Sequence, residues 1–108
     1  MPKFHPLTVR EVRRETEDTV SVSFDVPEEL KDEYTFIQGQ YLTFKRAFNG
    51  EDARRSYSIC RSPFENDLRV AIKKVEGGLF STYANEYLHA GDVLEVMTPL
   101  GRFYTKLD

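Results

Sequence analysis

The 108-residue chain has one cysteine, two histidines and no tryptophan. Cys60 alone cannot close an internal disulfide, and an ordinary iron–sulfur cluster needs four thiolates, so counting excludes both. His5 and His89 stand far apart, and neither falls in a C-x-x-C or H-E-x-x-H context, so no zinc site is expected. No apolar run approaches the roughly 20 residues of a membrane span. Residues 1–6 lead into nothing long enough for the apolar core of a signal peptide. The expectation is a cytoplasmic, soluble protein. Charge of one sign is also scarce: 15 basic and 18 acidic residues leave a net charge of -3. A sequence-independent grip on nucleic acid through phosphate neutralisation is therefore disfavoured.

What is present fits one domain with a core. The apolar fraction is 40%, and eight Phe with six Tyr supply bulky side chains for a small barrel to close over. Hydrophobic spacing sets the class. Val20, Val22, Phe24 and Val26 alternate with Ser21, Ser23 and Asp25, the pattern of a half-buried strand. Leu7, Val9 and Val12 slip out of period, which predicts a strand with a bulge, and residues 15–18 would turn the chain into the next strand. After Pro27 an acidic stretch reads as a solvated loop to Tyr34. Beyond Gly39, Leu42, Phe44, Arg46 and Phe48 face one way in a third strand. Asn49-Gly50 is the strongest short turn signal and predicts a hairpin into residues 54–60, with a ragged loop. Residues 68–75 read as a fifth strand ending at Gly77-Gly78. Phe80, Tyr83, Ala84, Tyr87 and Leu88 recur at three and four, so a helix of about two turns follows. A last strand spans residues 93–98. The fold class expected is all-β: a six-stranded antiparallel barrel with one short helix, because closure removes exposed edges.

Two features can carry chemistry. In a strand, Arg55 and Tyr57 share one face about 7 Å apart, while Ser56 and Ser58 take the other. An arginine fork matches phosphate oxygens and a tyrosine ring lies on heteroaromatic planes, so the pair suits a ligand with a ring at one end and phosphate at the other. The bland alternative is a surface arginine beside a core tyrosine. In the second feature, Gly77-Gly78-Leu79-Phe80-Ser81-Thr82, glycines allow close backbone approach and a helix N-terminus follows, an arrangement that commonly holds phosphate. An ordinary strand-turn-helix joint is the alternative there.

Gly39-Gln40-Tyr41, Arg55-Ser56-Tyr57-Ser58, Ile72-Lys73 with Gly78-Leu79-Phe80-Ser81, and Pro99-Leu100-Gly101-Arg102-Phe103 occur in order across nearly the whole chain. Together they resemble the signatures of the flavin-binding domain of the ferredoxin-NADP reductase superfamily, whose barrel has a Greek-key order. The resemblance implies that Arg55 pairs with the FAD pyrophosphate, Tyr57 stacks on the isoalloxazine and Ser58 hydrogen-bonds near the reactive N5. Tyr57 and Ser58 are thus the residues nearest the chemistry. Ser56 contributes through its backbone, Tyr41 is a secondary flavin contact, and Ile72 and Lys73 edge the ring or ribityl chain through their main chain. Gly78, Leu79, Phe80 and Ser81 cradle the pyrophosphate.

Reductases of this kind take a hydride from NAD(P)H at flavin and pass electrons singly to a two-iron two-sulfur cluster and on to a multisubunit oxygenase. No G-x-G-x-x-G unit and no four-cysteine module follow Phe103. The expectation is therefore a flavin domain without its nucleotide-binding and ferredoxin domains. FAD and FMN share the ring and the first phosphate, so both stay open, as do NADH and NADPH.

The competing readings are non-enzymatic. One is a small barrel binding single-stranded nucleic acid through Arg54, Arg55, Tyr57, Lys73 and Lys74, which the net charge opposes. The other is a docking barrel with no ligand. Cys60 is expected to pack as a small buried apolar group.

Overall fold

The computed structural model describes residues 3–36, 40–60 and 68–99. They form β1 (Phe4–Thr16), β2 (Thr19–Asp25), a 3-10 helix (Glu28–Tyr34), β3 (Tyr41–Phe48), β4 (Glu51–Ser58), β5 (Arg69–Lys73), α1 (Leu79–Glu86) and β6 (Val93–Met97). The strands make one antiparallel sheet in the order β4-β3-β6-β1-β2-β5. Just past β4, Ile59 bridges Val70 of β5, and Cys60 N donates to Arg69 O at 2.9 Å. The two end strands thus meet at that one bridge without a continuous ladder, so the sheet is barrel-like. With β4 between β3 and β5, and β6 returned beside β3, the order is a Greek key.

Local chemistry explains the elements. Asn49 (φ 51°) and Gly50 (φ 86°) both occupy the left-handed region, as a type I′ turn requires, and Phe48 pairs with Glu51 across it. The hairpin is therefore tight, not ragged, and β4 starts at Glu51. The expected bulge in β1 is present: the β1–β2 register shifts between Val9 and Glu11. Val9 bonds instead to the turn before β6, its N–H donating to Asp92 O at 2.7 Å and its carbonyl accepting from Gly91 N at 2.9 Å. β1 runs on to Thr16, so its turn is shorter than residues 15–18.

Other departures have physical causes. Ser21 and Ser23 are buried, not solvent-facing, and over Ser21 lie the side chains of Arg69 and Glu15: Arg69 Nη1 donates to Ser21 Oγ at 2.9 Å, which donates to Glu15 Oε2 at 2.7 Å. The acidic stretch is a 3-10 helix rather than a loop. It is tied down by Tyr34, whose hydroxyl donates to Val96 O at 2.6 Å, and by the Glu33–His5 pair at 3.0 Å. Cys60 is exposed, since Ile59 takes the inward position beside it. Tyr87 lies past the last turn of α1 and is 65% exposed, whereas Phe80 and Ala84 are buried.

The core is an aromatic stack. Phe44 sits between Phe24 (5.5 Å, 27°) and Phe80 (5.6 Å, 20°), and Leu7, Leu42, Val70, Ile72 and Val96 close around it. Phe80 is fully buried, so α1 is fixed to the barrel by its second residue. Deleting such a ring costs about 3–5 kcal/mol. Asn85 adds a polar clamp. Its Nδ2 donates to Ile72 O (3.1 Å) and Ser81 O (2.9 Å), and its Oδ1 accepts from Arg14 Nη1 (2.9 Å). Among the described residues no helix is long and apolar enough to cross a membrane.

Candidate functional site

β3 and β4 pair in register with Leu42 opposite Tyr57, Phe44 opposite Arg55 and Arg46 opposite Ala53. Arg55 and Tyr57 therefore point to the face that carries the core residues Leu42 and Phe44, as their two-residue spacing predicts. The Tyr57 ring packs 6.1 Å from Phe44 and 6.0 Å from Phe80, half-buried. Burial raises its phenol pKa, and the Arg55 guanidinium opposes that rise. Arg55 itself is exposed and commits Nη1 to its neighbour's carbonyl, Arg54 O, at 2.7 Å. The rest of its five-donor fork is turned to solvent, ready for an oxyanion.

Ser56 and Ser58 lie on the opposite face. Ser56 Oγ meets Thr43 Oγ1 at 2.7 Å, and Ser58 is the cross-strand partner of Tyr41. The structure thus groups Tyr41 with Ser58, a pairing that residue spacing alone did not reveal. Among the described residues, the edge of β4 away from β3 carries no ladder before Ile59.

α1 lies against β5, β4 and β2. Gly78 is its N-cap, with no side-chain cap, so the first-turn N–H groups lack a side-chain acceptor. The glycine is required by its own chain, because a Cβ there would stand 2.7 Å from Ser81 Oγ and 3.1 Å from Val75 O. Ser81 is buried, and its hydroxyl accepts the Val75 N–H at 3.0 Å, so it shapes the loop. Leu79 is half exposed and Phe80 is wholly inside. Ile72 is buried, its carbonyl held by Asn85, while the Lys73 side chain is exposed. Gly39 and residues 100–103 lie outside the described residues.

The basic face suggested for a nucleic acid is not assembled. Arg54 points away from Arg55 and lies over the Phe4 ring (5.3 Å), and Lys74 is paired with Glu86. Sequence reasoning missed a groove of about 590 Å³ beside the helix start, formed by Arg46, Phe48, Gly77, Gly78, Leu79, Thr82, Tyr83 and Tyr87. Alternation placed Arg46 and Phe48 on one strand face, but nothing local signals that Tyr83 of α1 packs across from them. Asn85 was missed too, although a polar residue four after Ser81 on the buried helix face was its only sign.

A Greek-key barrel whose end strand presents an arginine and a half-buried tyrosine beside an uncapped, glycine-preceded helix has the architecture of the cofactor-binding barrels of oxidoreductases. The chain belongs to the oxidoreductase FAD-binding domain family, whose model matches residues 6–104. It is 50% identical over 103 residues to one of the subunits of 1,2-phenylacetyl-CoA epoxidase of Escherichia coli K12, covering 95% of this chain and 29% of that protein. It is 37% identical over 102 residues to the ferredoxin reductase component of 3-ketosteroid-9-alpha-monooxygenase of Rhodococcus rhodochrous, covering 93% and 29%. Among solved structures it resembles phthalate dioxygenase reductase, described as a modular structure for electron transfer from pyridine nucleotides to [2Fe-2S], with a TM-score of 0.72 and 25% identity over 91% of this chain and 30% of that one. The chain thus spans under a third of the length of these relatives.

Proposed function

We propose that this domain seats the FAD of an NAD(P)H-dependent reductase that feeds electrons through an iron–sulfur centre to an oxygenase, phenylacetyl-CoA epoxidase of phenylacetate degradation being the system in view. The observation that carries the reading is that the Tyr57 ring packs 6.0 Å from Phe80, the second residue of the uncapped α1, with Arg55 two residues away on the same strand face. The half-identity to a component of that epoxidase supports the choice of system.

Bound flavin would supply hydride acceptance and one-electron release, and the chain's own share is to hold and tune it. Arg55 offers its fork to the pyrophosphate, together with the first-turn N–H groups of Leu79, Phe80 and Ser81, which carry the positive end of the helix dipole. Tyr57 offers a ring held by Phe44 and Phe80. Ser58 stands at the same edge from the other face, with Tyr41 beside it on β3, and the Ser58 hydroxyl can donate to a ring nitrogen. Ser56 acts through its backbone, and Ile72 and Lys73 lie along β5 for main-chain contact. The nicotinamide and iron–sulfur steps are assigned to other domains of such a reductase, because one cysteine cannot hold the cluster. The reading carries a cytoplasmic location, where NAD(P)H is at hand.

The test is the visible spectrum of the purified protein after incubation with excess FAD and gel filtration. A retained flavin band is expected, and it should weaken for Arg55→Ala. A protein folded by circular dichroism that stays colourless refutes the proposal.

A further inference from the structure

α1 has 8 residues, so it is about 12 Å from end to end. A helix that short does not hold its shape in water alone, so contacts with the barrel decide where its first turn points. Its apolar contacts are Phe80, stacked on Phe44 at 5.6 Å, and the buried Ala84. They fix its depth, but they are non-directional and leave it free to turn or slide. The directional contacts gather at the other end, on Asn85.

Asn85 is 7% exposed, and each polar atom of its side chain has a partner. Both Nδ2 protons go to carbonyls, Ile72 O of β5 and Ser81 O. Its Oδ1 and its backbone carbonyl both face Arg14 of β1, whose Nη1 donates to Oδ1 at 2.9 Å and whose Nη2 donates to Asn85 O. The same Nη1 donates to Glu17 O at 3.4 Å, which holds the guanidinium against the β1–β2 turn. Turned over, the amide would set its donor against the guanidinium and its acceptor against two carbonyls. Arg14 therefore keeps Asn85 in the one orientation that ties α1 to β5. Without the fork a buried acceptor is left unpaired, and the amide is driven to rotate. Leu79–Glu86 contains no basic residue, so the cations at the negative end of the helix come from elsewhere: Arg14 on the Asn85 carbonyl, and Lys74 on Glu86.

We propose that Arg14 is a positioning residue for the phosphate end of the flavin site: through Asn85 it holds α1 so that the N–H groups of Leu79, Phe80 and Ser81 keep their aim. The proposal rests on the flavin reading above. Arg14 need not touch the ligand, because it grips the C-terminal turn while the phosphates meet the N-terminal one. Neighbouring N–H groups hold an anion only while they point to one spot, and a small swing of so short a helix spreads them.

The test is fluorescence titration of the apoprotein with FAD and riboflavin, in the native chain and in Arg14→Ala, Arg14→Lys and Arg13→Ala, with urea unfolding to show that each is folded. Arg13→Ala removes the same charge one residue away, from a side chain that bonds Glu11 instead of α1. Arg14→Ala should weaken FAD about tenfold, the scale of one hydrogen bond to a charged group, and leave riboflavin within about twofold. Arg14→Lys keeps the charge without the two-point fork, so its loss should be smaller and again fall on FAD alone. Arg13→Ala should bind both ligands as the native chain does. Coupling is reciprocal, so FAD should slow exchange of the Asn85 side-chain amide protons and riboflavin should not. A loss shared by both ligands, a loss matched by Arg13→Ala, or Asn85 protons indifferent to FAD overturns the positioning role and leaves flavin binding standing. Failure of the native chain to bind either flavin overturns the flavin reading, and the positioning role with it. If Arg14→Ala does not fold, Arg14→Lys decides by the same criteria.

Discussion

Gly78→Ala isolates the reason for glycine at the start of α1. The residue has φ -80° and ψ 118°, a backbone conformation open to any L-amino acid. Strain in the main chain is therefore no part of the effect, and the loss of unfolded-state freedom alone would stabilise by about 0.4–1 kcal/mol. Against that stands the new Cβ, 2.7 Å from Ser81 Oγ and 3.1 Å from Val75 O. Ser81 Oγ cannot swing aside freely, because it is buried and accepts the Val75 N–H at 3.0 Å. Breaking that bond costs about 1 kcal/mol, and crowding of a packed site costs about 1–3 kcal/mol. The net expectation is a loss of about 1–3 kcal/mol, read by urea unfolding of the apoprotein. Thermal midpoints should fall by about 4–8 °C for each kcal/mol. In a Ser81→Ala background the nearest clash is gone, so the same change should cost under about 1 kcal/mol. Additivity of the two substitutions within about 0.5 kcal/mol would refute the reasoning, since groups in contact must couple.

Arg55→Ala should weaken FAD binding by about 1.5–3 kcal/mol, the worth of a hydrogen bond to a charged group, and leave riboflavin nearly unaffected; an equal loss for both ligands in parallel titrations would remove the phosphate role. Asn85→Asp turns a donor toward Ile72 O and Ser81 O into an acceptor, so unfolding experiments at pH 7 should show a loss of about 3 kcal/mol that shrinks on acidification as the new carboxyl regains a proton to donate. Tyr34 has its pKa pushed up to about 12, first by burial and then by Glu33. Its folded value lies above the unfolded 10.0, so the stability it contributes is complete below pH 10 and is lost as pH rises toward 12; Tyr34→Phe should flatten that alkaline decline in chemical unfolding. Glu11 is held below its ordinary 4.5, chiefly by the hydrogen bond from Arg69 Nη2 at 2.6 Å. Its contribution is present above pH 4.5 and lost below, so Glu11→Gln should make the acid unfolding limb shallower.

The strands were legible where the signal is local. The strand over Val20 to Phe24, the Asn49-Gly50 turn and the helix through Phe80 and Ala84 each depend on neighbours a few residues away, and each element is present in the structure. The misreadings come from long-range contacts that periodicity does not carry. Ser21 and Ser23 look solvent-facing until Arg69, 48 residues beyond Ser21, is laid across the first of them. The acidic stretch looks like a loop until Tyr34 finds the Val96 carbonyl, 62 residues on. Cys60 looks buried by composition, and one step of strand phase past Ile59 turns it outward.

The site divides along the same line. Arg55 and Tyr57 could be placed on one face because a strand has period two, and the helix start could be placed because glycine and hydrophobic spacing mark it. What spacing cannot give is which edge of β4 is without a ladder among the described residues, since that depends on β3 taking the other edge and on β5 bridging the chain at Ile59. In the proposed function the open edge is the functional element, because around it Ser58 on one face and Arg55 and Tyr57 on the other can address one ligand. A fully laddered barrel with the same residues would hold the two sets on opposite sides of a sheet, where no single flavin could touch both.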